Sequence, residues 1–191
     1  MSYPYQSLRS EVLRLSEGSE SEVDQIFKQL RLTQMKKGKR LLQAGQICTV
    51  YIFVRSGALR LYHKRQNKEY TAWIATEGQV FTELDSYLFQ KPTQIWIEAI
   101  EDAEVLLISK AESDELAKKS FAYNTLLRRT VEESFAFMSR NIIAFQSATA
   151  EERYRTLEEE KNWLMYFPMK YLHSFFGVTQ STFSRIRGRK A

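Results

Sequence analysis

The stretch PMKYLHSFFGVTQSTFSRIRGRKA, Pro168 to Ala191, organises the reading of the whole chain. Gly177 divides it. Before the glycine, Tyr171, Leu172, Phe175 and Phe176 fall at helical spacing, and after it Val178, Phe183 and Ile186 do the same. Each half is too short to be a stable helix alone, so each must bury its apolar side against something. Glycine adopts the left-handed backbone conformation that other residues avoid, so the stretch predicts two short amphipathic helices turning at Gly177. The second starts near Thr179, whose hydroxyl can cap it. Its polar side shows Gln180, Ser181, Ser184, Arg185 and Arg187, with Arg189 and Lys190 just beyond.

Charge gives this element a partner. The stretch holds Lys170, Arg185, Arg187, Arg189 and Lys190, five of the chain's 28 basic residues, and none of its 23 acidic ones. Elsewhere the two signs balance, so the whole net charge of +5 sits here. A solvated basic terminus would look the same on charge alone. Set on a glycine-centred pair of helices, the concentration points to DNA, because each neutralised phosphate releases condensed counterions. In that reading Gln180, Ser181 and Arg185 contact base edges in the major groove. Lys170, Thr179, Arg187, Arg189 and Lys190 contact phosphates.

Working outward, 191 residues hold one medium domain and a small one, and 43% apolar content supplies a core. A single cysteine, Cys48, excludes a disulfide framework and a cysteine-ligated zinc or iron–sulfur site within the chain. The only histidines, His63 and His173, make no H-x-H, so a cupin-type metal enzyme with a merely basic tail lacks its ligands. A lone strand histidine is usually satisfied by hydrogen bonds, so His63 is not expected to hold haem. No nucleophile–base pair or glycine-rich phosphate loop is present, and neither enzyme activity, metal nor cofactor is expected. The first 20 residues lack a signal-peptide pattern, and no run approaches the roughly 20 apolar residues of a membrane helix. The expectation is a soluble, cytoplasmic protein that does not touch the membrane.

In chain order, Ser19 and Glu22 have capping-box spacing and precede Val23, Ile26, Phe27 and Leu30 at i, i+3, i+4, i+7. From about Leu32 to Ser109 the pattern changes to short β-branched and aromatic runs between Gly38, Gly45, Gly57 and Gly78. YIFVRSGALRLYH reads as strand, bend, strand at Ser56-Gly57; TAWIA, QIWIEAI and AEVLLIS add more strands. With no helix inserted, this predicts an antiparallel barrel or jelly roll, its surface partly covered by Arg60. Ser109 and Glu112 open a helix through about Lys119, and a long helix follows from about Tyr123 to Ser147. In it Val131, Phe135, Met138, Ile142 and Phe145 recur at 4, 3, 4 and 3, a seam that favours a partner helix. A second face, Leu127, Phe137 and Ile143, is free to pack on the chain's own barrel. Thr149 and Glu152 then open a helix over TAEERYRTLEEEKNWLMYF.

At LHSFFGVTQSTFSRIR the chain resembles the DNA-binding helix-turn-helix of the Crp/Fnr family of bacterial transcription regulators. The family's apolar positions match Leu172, Phe176, Val178, Phe183 and Ile186, its glycine Gly177, and its Ser-Arg pair Ser184 and Arg185. KKGKRLLQAG, FVRSGALRLY and IEAIEDAEVLLIS look like strands of that family's sensor domain. The resemblance implies a homodimer pairing through the long helix, a palindromic site on double-stranded DNA, and RNA polymerase as a further candidate partner. The implied fold is α+β: a jelly-roll sensor domain with N-terminal helices over 1–120, a dimerisation helix over 121–148 and an all-α helix-turn-helix domain over 149–191. His173 departs from the pattern, where a small residue lets the two helices cross closely. Many members also carry a β-hairpin wing before the first helix, for which this chain has no room.

The family's nucleotide-binding members hold the ribose with a Gly-Glu pair and the cyclic phosphate with an Arg followed by Ser or Thr. Here Thr82 stands before Glu83, and Thr93 and Gln94 stand where the arginine and its partner belong. A buried phosphate without its cation is strongly unfavourable, and Lys91 reaches the place from a different geometry before Pro92. Glu83, Thr93 and Gln94 therefore mark a candidate effector pocket for an unknown small molecule or none, and cyclic AMP is not expected to bind. A small-molecule-binding roll that has lost DNA contact is the remaining reading, and the intact basic face argues against it.

Overall fold

The computed structural model describes residues 8–160 and 167–188. Helices α1 (Leu8–Ser16) and α2 (Glu20–Lys28) come first. The Ser19–Glu22 capping box is formed, with Val23 and Ile26 buried beneath it. Eight strands follow: β1 (Arg31–Met35), β2 (Arg40–Leu42), β3 (Val50–Ser56), β4 (Ala58–Arg65), β5 (Lys68–Thr76), β6 (Val80–Phe81), β7 (Ile95–Ala99) and β8 (Ala103–Ser109). They make two antiparallel sheets in the orders β1-β8-β3-β6 and β2-β7-β4-β5. Ile52, Phe53, Leu59, Ile97, Val105 and Ile108, all buried, join the sheets into one apolar core.

The bend at Ser56-Gly57 is not a hairpin. β3 pairs with β6 and β8 while β4 pairs with β5 and β7, so the bend carries the chain from one sheet to the other. Gly57 has φ +79, and a Cβ there would lie 2.3 Å from the Asp102 carbonyl oxygen. The hairpin is β4–β5, closed by Gln66 and Asn67 with φ of 50 and 61, both left-handed as its two-residue turn requires. One expectation is corrected. A helix, α3 (Leu84–Phe89), does interrupt the strands, and Glu83 is its N-cap.

Helix α4 (Lys110–Lys119) starts at the formed Ser109–Glu112 capping box. Helix α5 (Phe121–Ser147) is capped by Ser120, and its first turns bury Ala122, Tyr123 and Leu126. Arg14 on α1 pairs with Glu133 on α5 at 2.8 Å, and Arg129 pairs with Glu17. Helices α6 (Ala150–Glu160), α7 (Met169–Phe175) and α8 (Gln180–Gly188) follow. The expected single helix from Thr149 is formed as far as Glu160, whereas Phe167 is a bend. Residues 161–166, where the wingless connection was expected, lie outside the described residues, as do Arg189 and Lys190. Among the described residues no helix is long and apolar enough to cross a membrane.

Candidate nucleic-acid interface

Helices α7 and α8 meet as the sequence demands. Gly177 has φ +67, and the turn closes with Gly177 N–H donating to the Ser174 carbonyl at 3.2 Å and Val178 N–H to the His173 carbonyl at 3.0 Å. Thr179 Oγ1 accepts from Thr182 N–H at 3.2 Å, capping α8. Leu172, Phe176, Phe183 and Ile186 are buried, with the Phe176 and Phe183 rings 5.3 Å apart and Tyr154 of α6 5.6 Å from Phe183. His173 fits beside the turn, half-buried, its Nδ1 3.2 Å from the Val178 carbonyl oxygen.

The apolar sides being spent inward, the polar sides face water. Gln180, Ser181, Ser184, Arg185 and Arg187 on α8 are exposed, as are Thr179 and Lys170. Arg185 Nη2 rests 3.4 Å from Thr182 Oγ1, and Lys170 Nζ lies over the Tyr171 ring at 4.7 Å. Every described member of the expected DNA-contact set therefore lies on exposed surface of one small unit.

This unit is fastened to the β-roll by residues to which the sequence analysis gave no such role. Arg60, expected to cover the barrel surface, is only 2% exposed. Its guanidinium lies between the rings of Tyr62 (4.3 Å) and Tyr171 of α7 (4.7 Å). It donates to Thr71 Oγ1 at 2.9 Å and to Glu69 Oε2 at 2.7 Å, so the buried charge is paired. Burial pushes the Glu69 carboxyl up, but hydrogen bonds from Arg60 and Lys64 outweigh it and hold the group below its ordinary value. The Thr71 and Ser174 hydroxyls lie 2.7 Å apart, and Ala58, Ile74 and Ile100 join the bihelical core. Alternation in ALRLYH did place Arg60 and Tyr62 on the same side as Ala58, the one available hint. At the other end, Arg153 donates to the Ala148 and Phe176 carbonyls at 2.8 and 3.2 Å and stacks 4.3 Å from Phe145, tying α5, α6 and α7 together.

Along α5, the seam residues Val131, Phe135, Met138, Ile142 and Phe145 are all exposed, Phe135 at 71%. The second face is divided. Leu127 packs against the main apolar core, which the N-terminal helices share with the roll, and Phe137 packs edge-on to Trp73 with centroids 5.0 Å apart. Ile143, expected on the chain's own barrel, is 63% exposed and extends the open stripe.

Glu83 and Thr93 are spent locally. Glu83 Oε2 accepts from Ser86 N–H at 3.1 Å, and the buried Thr93 Oγ1 accepts from Ile95 N–H at 2.9 Å. Gln94 is exposed, and Lys91, the nearby cation, pairs with Asp85 at 2.9 Å.

Residues 32–120 match the family model of the cyclic nucleotide-binding domain. The matched residues span the β-roll with its α3 and α4 helices. The fold is shared beyond it. A CooA variant from Carboxydothermus hydrogenoformans has a TM-score of 0.74 at 18% identity, over 96% of this chain and 84% of that one. FixK2 from Bradyrhizobium japonicum gives 0.72 at 16%, over 84% and 83%, and the catabolite activator protein of Thermus thermophilus 0.59 at 18%, over 94% and 85%. No curated protein sequence matches the chain.

Proposed function

We propose that this protein is a sequence-specific transcription regulator of the Crp/Fnr type that binds a palindromic DNA site as a homodimer. The observation that carries the reading is the α7–α8 pair: a helix-turn-helix closed at Gly177, apolar inside and cationic outside, in a chain otherwise balanced in charge. Arg185, near the middle of α8, donates to a guanine O6/N7 edge, with Gln180 and Ser181 on neighbouring bases. Lys170, Arg187, Arg189 and Lys190, with the Thr179 hydroxyl, hold phosphates. The exposed stripe of α5 pairs with its two-fold mate, which sets the two recognition helices about one helical turn of DNA apart, or a multiple of it.

The cyclic nucleotide-binding domain serves as a scaffold or takes another effector. Thr93 and Gln94 offer no charge for a cyclic phosphate, and Lys91 is engaged by Asp85. Binding to a generic duplex, followed by anisotropy across salt, tests the reading. With four phosphate-holding cations per subunit, log K against log salt falls with a slope of about −7 for a dimer. Cyclic AMP leaves the affinity unchanged. A slope near zero contradicts DNA binding, and a cyclic-AMP-dependent rise contradicts the reading of the sensor.

A further inference from the structure

A cavity of about 260 Å³ opens between the two sheets, and Glu83, Thr93 and Gln94 do not line it. Its walls are Leu41, Leu42, Ile52, Ile97 and Leu107, with Ile47 at the mouth and Cys48 on the lining. We propose that this cavity binds a small, uncharged, hydrocarbon-like molecule. Among the described residues no charged side chain lines it, so, unlike the phosphate position near Thr93, it suits a guest without charge.

Cys48, the Val50 carbonyl and Gln46 Oε1 on its lining are engaged by the protein, while the Gln46 and Thr49 side chains are exposed at the rim. Cys48 Sγ lies 3.4 Å from Thr82 Oγ1, which donates to the Val50 carbonyl at 2.8 Å, and Cys48 N–H donates to Ser86 Oγ at 2.9 Å. Gln46 Oε1 accepts from Gln43 N–H at 2.8 Å. A carboxylate or phosphate seated inside would be buried without a countercharge. An apolar cavity of about 150 Å³ holds benzene, so this one suits a body of about ten carbons, such as a medium-length alkyl chain or a bicyclic aromatic. The mouth is open at Ile47, 42% exposed, beside the exposed Gln46 and Thr49, where a hydroxyl or other neutral end would meet water. The Thr49 carbonyl accepts from Lys110 N–H at 2.7 Å, so the rim is tied to the start of α4. This inference is independent of DNA binding.

The native chain carries its own reporter, because Cys48 is the sole cysteine and is 1% exposed. The test is the rate at which a disulfide reagent modifies Cys48 in the full chain, alone, with 1-decanol and with cyclic AMP. Decanol is expected to slow modification by at least about fivefold and to raise the thermal midpoint, as a ligand of the folded state must. Cyclic AMP is expected to change neither. Ile47→Trp, at an exposed position, narrows the mouth and raises the decanol concentration needed for half-maximal protection about tenfold without lowering the midpoint of the free protein. No protection, or faster modification with decanol, overturns the proposal. Equal protection in Ile47→Trp overturns the assigned mouth, and protection by cyclic AMP overturns the ligand class.

Discussion

Phe135→Ala tests whether the exposed stripe of α5 is a subunit interface. A phenylalanine presents roughly 200 Å² of side-chain surface, and 71% exposure leaves about 140 Å² of it in water. Covered completely, that area contributes about 3.5 kcal/mol at about 25 cal/mol per Å². A helix–helix seam covers about half of it, and a two-fold dimer contains two copies, so the loss on truncation is about 3–4 kcal/mol. The dimer dissociation constant should rise about 100- to 1,000-fold. The monomer should be unaffected, because Phe135 buries little against its own chain and alanine favours the helix. Sedimentation equilibrium across nanomolar to micromolar concentrations reads the constant, and circular dichroism melting checks the fold. A native protein that stays monomeric throughout, or a variant within about threefold of the native constant, refutes the assignment of the stripe to a dimer.

Other outcomes follow from the same geometry. Arg185→Ala should lose about 1–3 kcal/mol of discrimination at one base pair, while Arg187→Ala weakens all sequences alike and flattens the salt slope by about one unit per subunit; titration of matched and mismatched duplexes across salt separates them. Gly57→Ala should destabilise the roll by more than about 2 kcal/mol in denaturant unfolding, since its Cβ meets the Asp102 carbonyl at 2.3 Å and its φ is +79. Glu69 is held below its usual value, so its contribution is full above the ordinary 4.5 and is lost as pH falls through the lowered folded value. Hydrogen exchange in α7 should therefore quicken over that acid window, and Glu69→Gln should remove this local pH dependence.

The sequence made the regular parts legible because their signals are local. Three capping boxes, at Ser19, Ser109 and Thr149, depend only on residues three apart, and each is formed. Gly177 announced its turn because only a left-handed residue fits there. What stayed hidden depends on partners far apart in the chain. YIFVRSGALRLYH shows two strands and a bend but not that the bend changes sheets, which is settled by β8 and β7 pairing on either side. Leu84–Phe89 is too short for helical periodicity to stand out, and nothing local marks Glu83 as its cap. The burial of Arg60 is not local, since Tyr171, more than 100 residues on, covers its guanidinium. The exposed, cationic face of α8 was legible through its polar pattern, since that face answers to solvent and not to packing.

The central claim, that a paired cationic helix-turn-helix reads DNA sequence, is met most directly by selecting bound duplexes from a random pool with the purified full chain. The account predicts enrichment of an inverted repeat whose half-sites are centred about 10 base pairs apart, or a multiple of that, by a complex of two chains. Recovery of unenriched DNA, or of a single half-site held by one chain, would contradict it.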